Sequence, residues 1–259
     1  METSWCDSSQ KHHILKHDLM RTDLTEKEAL SLQNKWRIFY QNANQKKLQI
    51  EDLDALRYVA GVDISFPPDK HPTWGIACVT LWDLQEGKLI EATFHQENLL
   101  FPYIPGFLGF RECLPIAQAI LKLHRKPQII ICDGHGLIHP LQFGEAIQLG
   151  VVFDIPTFGA AKTPFVGTSS WKELTRQRGE KTPVYENELD PNREENKILG
   201  YAICAANERK PIFISEGYRV DIELAIRLTL KSTSDHRQPD PVFQADQLSR
   251  EKIRTILNS

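Results

Sequence analysis

The sequence predicts an α/β layer fold built on a mixed central sheet flanked by helices, and two observations carry that reading. Three segments rich in Val, Ile, Thr and aromatic residues follow one another across links too short for a helix, as in an antiparallel meander. Beyond them, helical and strand patterns alternate, which extends the same sheet by helix-spaced additions.

Residues 1–23 are polar and lack hydrophobic periodicity, so they are expected to form a flexible N-terminal arm ahead of one domain spanning 24–259. Thr25 and Glu28 have the spacing of a capping box, and Leu30, Leu32, Trp36 and Phe39 follow at near-helical intervals, which predicts the first helix. The meander strands are 58–66, 75–84 and 89–97. A loop holding Pro102 and Pro105 leads into a helix through Phe110, Leu114, Ala117, Ile120 and Leu121. The run from Pro127 to Asp133 is short and continuously apolar until its last residue, the pattern of a strand buried on both faces. A helix over 143–149, strands at 156–161, 198–205 and 211–215, and helices over 221–230 and 242–257 complete the expected order. No internal repeat is present.

A chain of 259 residues can bury a core without disulfides, and 41% hydrophobic with 25% charged residues is the composition of an ordinary globular protein. The net charge of -3 excludes a protein that coats nucleic acid by electrostatics alone, so any such binding must use local charge. Between 162 and 181, Lys162, Lys172, Arg176, Arg178 and Lys181 outnumber Glu173 and Glu180, although runs of this kind are usually solvated surface. The five cysteines are widely spaced, form no C-x-x-C and sit mostly among apolar neighbours, as reduced core thiols do in a cytoplasmic protein. The N-terminus has no apolar signal region, and no segment reaches the roughly 18 apolar residues of a membrane span. A protein that is neither exported nor membrane-spanning is expected.

Asp63 interrupts one apolar strand and Asp133 closes another. Either alone could cap a turn, but two carboxylates in core-strand positions share a single explanation. A divalent cation between them would relieve the cost of burying unpaired charge, and Mg²⁺ prefers oxygen ligands. Glu112 sits at the expected start of a helix, where the dipole favours a carboxylate and ordinary capping explains it equally well. The loop 101–110 places aromatic and apolar residues between prolines, so Tyr103 is either a rigid stacking platform or part of a loop folded onto the core. Gly134 and Gly136, like Gly159, mark turns at strand ends, where α/β sheets bind ligands, and Lys162 directly follows the second turn. His135 and His139 could handle a metal or water, though a hydrogen-bonded structural role is the more ordinary one.

These residues fall into four blocks: Gly61-Val-Asp63; Pro102-Tyr-Ile-Pro-Gly-Phe-Leu-x-Phe-Arg-Glu112; Asp133-Gly-His-Gly-x-x-His-Pro140; and Gly159-Ala-Ala-Lys162. In order and approximate spacing they resemble the motifs of endonuclease V, the deoxyinosine-directed endonuclease family, from about Leu24 to the C-terminus. The resemblance implies an RNase H-like fold, Mg²⁺ or Mn²⁺ as cofactor, and incision at the second phosphodiester 3′ to a deaminated purine. It implies metal binding by Asp63 and Asp133 with Glu112 as the third carboxylate, Lys162 near the scissile phosphate, and Asp246 supporting the metal from the last helix. Tyr103 matches the strand-separating wedge, and Leu108, Gly134, Gly144 and Gly159 match the hypoxanthine pocket.

The sequence departs from the family at Ser215-Glu-Gly-Tyr218, where Ser-Pro-Gly-His is more usual, and in an acidic stretch over 185–196 expected to be a variable surface loop. The partner expected is DNA containing deaminated purines, met by a monomer. Inosine in single-stranded RNA is the alternative substrate, and a non-catalytic binding module of the same fold the alternative class, which would be marked by loss of a carboxylate.

Overall fold

The computed structural model describes residues 5–43, 46–48, 53–187 and 196–258. Its eight strands are β1 (Tyr58–Ser65), β2 (Trp74–Asp83), β3 (Lys88–Asn98), β4 (Ile129–Cys132), β5 (Thr157–Ala161), β6 (Lys181–Tyr185), β7 (Ile198–Ile203) and β8 (Ile212–Glu216). They form one sheet in the order β3-β2-β1-β4-β5-β8-β7-β6, mixed as expected. The meander β1–β3 is antiparallel, β4 and β5 add in parallel to β1, and β8, β7 and β6 return antiparallel.

The helices are α1 (Ser8–Leu15), α2 (Glu26–Ala43), α3 (Leu108–Ile120), α4 (Glu145–Phe153), α5 (Ile222–Lys231) and α6 (Asp240–Leu257). Strand alternation divides them between two cores. Ala60, Val62, Ile64, Ile130 and Cys132 face the core that holds the buried residues of α3 and α4. Val59, Ile129 and Ile131 face the opposite core, with buried residues of α5 and Val242 of α6. The central position of β4 explains its unbroken apolar run, since both of its faces are covered.

Two expectations are corrected. The segment taken for a flexible arm is packed in the structure: α1 is capped by Asp7, and Cys6, Ile14, Leu19 and Met20 are buried in the α3/α4 core. Isolated apolar residues spaced along a polar stretch leave no periodicity to read, yet each fills a place in that core. The capping box at Thr25 and Glu28 is formed, with Thr25 N–H donating to Glu28 Oε2 at 2.8 Å. The buried stripe of α2, however, is Ala29, Gln33 and Tyr40, whereas Leu30 and Phe39 are exposed. Strand β6 was also missed, because Pro183 within it argues against a strand, and it is tolerated because β6 is an edge.

The five cysteines are buried and none is disulfide-bonded. No helix among the described residues is long and apolar enough to cross a membrane. Of the acidic stretch over 185–196, residues 188–195 lie outside the described residues. Where the sequence carries Glu216 and Tyr218, Glu216 pairs with Lys47 at 2.8 Å and Tyr218 donates to Asp154 at 2.8 Å.

Candidate active site

Register explains why the two strand aspartates meet. Val62 pairs with Cys132 across the parallel β1/β4 ladder, and the Asp133 N–H donates to the Val62 carbonyl at 3.2 Å. One residue further along each strand brings Asp63 beside Asp133, on the face covered by α6. Lys162 follows β5, the third parallel strand, so all three groups emerge at the carboxyl ends of adjacent strands.

Helix α6 supplies the third carboxylate. Asp63, Asp133 and Asp246 each bring an oxygen within 4.8 Å of the others. Lys162 Nζ donates to Asp133 Oδ2 at 2.7 Å and to Asp246 Oδ1 at 3.2 Å. Arg250, one helical turn after Asp246, reaches Asp246 Oδ1 at 2.8 Å. Ser249 Oγ lies 3.2 Å from Asp63 Oδ2 and 2.7 Å from Ser65 Oγ, so a hydroxyl pair buttresses Asp63. Burial first, then Asp133 and Asp246, pushes the Asp63 carboxyl well above the ordinary range despite Lys162. For Lys162, burial works downward but is outweighed by Asp133 and Asp246, which hold the ammonium charged. A tight group of oxygen ligands, over-charged relative to its cations, is the donor set a small divalent cation fits.

Glu112 occupies a different place. Helix α3 begins at Leu108, so Glu112 lies beyond the first turn and the expected capping role does not apply. It approaches from the opposite side of the sheet, 7% exposed, and does not belong to the group of three. Burial, then Glu145 and Asp63, raises its pKa well above the usual carboxyl value. Glu145, in the first turn of α4, is pushed up to about 8 by burial and by Asp133. Asp133 thus stands between two acidic groups, one on each side of the sheet.

A cavity of about 350 Å³ opens beside Asp133 and Lys162. Leu108, Gly134 and Gly144 line it, as the resemblance implies, with Tyr103 at 70% exposure also on its border. Gly159 lies beneath it instead, where a Cβ would come within 2.4 Å of the Gly134 carbonyl. The proline-flanked loop divides its residues between both readings: Phe101 and Phe110 are buried against one another, while Tyr103 stands out. Buried Arg111 fixes that loop by donating to the carbonyls of Phe101 at 2.7 Å and Pro72 at 2.8 Å.

His139 also lines the cavity, but both ring nitrogens are engaged by the loop. Nε2 bonds to the Gly106 carbonyl at 3.0 Å and Nδ1 accepts from Leu141 N–H at 3.2 Å, and burial lowers its pKa to about 4. It is held neutral in a positioning role. His135 stacks on Phe165, whose partly exposed ring borders the same cavity. Arg237 donates to the carbonyls of Lys162 and Pro211, tethering the backbone from which Lys162 extends. Ser249, Arg250, Arg237, Glu145 and Phe165 were not foreseen; the i, i+3, i+4 spacing of Asp246, Ser249 and Arg250 is the one trace the sequence held.

A mixed sheet that gathers carboxylates and a lysine at the ends of its parallel strands defines the class: an RNase H-like nuclease built to work with a metal. The family model of Endonuclease V matches residues 41–247, and the chain belongs to that family. An Endonuclease V of Nostoc punctiforme is 33% identical over 228 residues, 88% of this chain and 95% of the relative. The catalytic domain of human Endonuclease V superposes with a TM-score of 0.79 at 28% identity, covering 90% of this chain and 99% of that one. An Endonuclease V of Ciona intestinalis, in complex with a 24mer DNA containing an inosine followed by a ribo-adenosine, matches with a TM-score of 0.71 at 26% identity, covering 87% and 99%.

Proposed function

We propose that the chain incises DNA at the second phosphodiester bond 3′ to deoxyinosine, with Mg²⁺ as its metal and Mn²⁺ as a substitute. The observation that carries this is the adjacency of the aspartate triad and Lys162 to a cavity bordered by glycine turns and an exposed tyrosine. Asp63, Asp133 and Asp246 would hold the cation. When bound, the cation supplies Lewis-acid polarisation of a phosphoryl oxygen. Lys162 neutralises charge developing on the phosphate, and Glu112, on the other side of Asp133, orders the attacking water. The base leaves the stack and enters the cavity between Leu108, Gly134 and Gly144, while Tyr103 fills the gap it leaves. The chain acts as one catalytic unit, its N-terminal segment packed into the same core, monomeric, in a reducing cytoplasm that suits the five buried cysteines.

The ribo-adenosine that follows inosine in the Ciona complex favours a second reading, in which inosine-containing single-stranded RNA is the substrate. One assay tests both: matched DNA and RNA strands, each with inosine or adenosine at one position, incubated in Mg²⁺ and in EDTA. Incision of inosine DNA in Mg²⁺ alone is expected; cleavage confined to RNA would move the assignment to the second reading, and no cleavage of either strand would end both. Tyr103→Ala should weaken binding of the inosine strand in EDTA by about 10-fold, the scale of one lost base–aromatic stack. Tyr103→Phe should retain it. Unchanged affinity in the alanine variant would remove the wedge role.

A further inference from the structure

Among the buried polar atoms of the cavity lining that have no hydrogen-bond partner are two side-chain oxygens. Glu145 is 6% exposed, and its Oε2 makes no hydrogen bond among the described residues. Gln33 is 2% exposed; its Nε2 donates to the carbonyls of Gly106 at 2.9 Å and Phe143 at 3.0 Å, which fixes the amide and leaves Oε1 unpaired. Both side chains line the same cavity, whose 350 Å³ falls within the range of roughly 300–1,000 Å³ typical of small-molecule sites. Buried acceptors left unsatisfied are uncommon, and two in one wall point to a ligand that brings N–H groups.

A cation does not answer this need. Glu145 contributes no oxygen to the group of carboxylates lying within 4.8 Å of one another, which consists of Asp63, Asp133 and Asp246. The carboxylate is instead seated against the backbone of the cavity's own turn: a Cβ on Gly134 would come within 2.6 Å of Glu145 Oε2.

We propose that Glu145 is a specificity-determining residue that accepts a hydrogen bond from a ring N–H of the base turned into this cavity, with Gln33 Oε1 as a second acceptor lining the same cavity. The inference rests on the reading of the cavity as the site of an extruded deaminated purine. Adenine presents a bare acceptor at N1, whereas hypoxanthine presents N1–H, so an acceptor wall rewards the deaminated base and leaves adenine facing like against like. A site with buried polar groups discriminates strongly against an analogue that cannot pair with them. Ionised or protonated, a carboxyl group keeps an oxygen that can accept the N1–H.

The test compares incision of strands carrying deoxyinosine with strands carrying deoxynebularine, a purine without O6 or N1–H, by the wild type, Glu145→Leu and Glu145→Gln. The wild type should prefer inosine. Glu145→Leu should shrink the inosine-to-nebularine rate ratio by about 10-fold or more, the scale of one hydrogen bond to a charged or buried group. Glu145→Gln, which keeps an acceptor oxygen, should retain most of the ratio. Both substrates are measured on the same preparation, so a partly folded variant still reports it. A ratio unmoved by Glu145→Leu overturns the inference, and a ratio that rises overturns it in favour of the carboxyl as donor. A wild type that incises inosine in neither DNA nor RNA overturns the reading of the cavity, and the inference with it; incision with an unmoved ratio overturns the inference alone.

Discussion

Asp63→Asn is expected to reduce Mg²⁺-dependent incision of an inosine strand on the order of 10³-fold or more, because it replaces one of the three carboxylates proposed to hold the cation with a neutral, weaker amide ligand. The same substitution should make the metal-free protein more stable. Asp63 is half-buried beside Asp133 and Asp246, with its folded pKa well above the ordinary value of 3.8. A carboxyl whose pKa is higher folded than unfolded binds more protons in the folded state, so stability falls as pH rises from the unfolded value through the folded one. At neutral pH, well above the unfolded pKa, the carboxyl therefore opposes folding, and an amide of the same shape does not. Melting temperatures in EDTA should rise for Asp63→Asn, and their decline with increasing pH should flatten. Mg²⁺ should raise the wild-type melting temperature and leave the variant's nearly unchanged. Asp246→Asn should show the incision loss too, since its oxygen completes the same group. Full activity in either variant would remove that residue from the metal site, and a destabilised metal-free Asp63→Asn would refute the electrostatic account.

The two strand aspartates were legible because a carboxylate stands out in an apolar run, and the rule that side chains alternate along a strand says which of its neighbours face the same way. What joins them is register, and register depends on which strands become neighbours. The sequence of β1 and β4 holds no mark of Val62 opposite Cys132. Asp246 shows the same limit more strongly. On α6 it is one polar residue among many, and its role follows only from the docking of that helix on β1, so the family motif pointed to its location and geometry raised it to a ligand candidate. Glu112 rested on the motif that contains it, because its place near a helix start said little by itself, and α3 in fact begins earlier, at Leu108. Glu145 and Gln33 could not be read at all: a charged or amide residue on a helix belongs to the solvent face by default, and only burial identifies the exception. The arm failed for a related reason, as its few apolar residues find their places through contacts distant in sequence.

Gly61→Ala should cost about 3 kcal/mol or more, above the usual range for an overpacked core, since the atoms it would strike are backbone. Gly61 lies two residues before Asp63 and faces the same side of β1. A Cβ there would sit 2.2 Å from the Pro241 carbonyl carbon and 2.4 Å from the Val242 nitrogen. Neither can turn aside as a side chain can. Thr80, opposite Gly61 on β2, holds that same turn through a 2.7 Å hydrogen bond to the Pro241 carbonyl. The first turn of α6 is thus clamped onto a bare strand, and everything that follows depends on the clamp. Val242, Ala245, Asp246, Ser249 and Ile253 form its buried stripe, so a helix seated farther out carries Asp246 away from Asp133 and Ser249 away from Asp63. Chemical denaturation should show a lowered midpoint, and incision should fall more than the loss of folded protein explains, because the site widens before the fold fails. A Gly61→Ala protein with unchanged midpoint and unchanged incision would mean that the close approach of helix to strand is not what sets the third carboxylate in place.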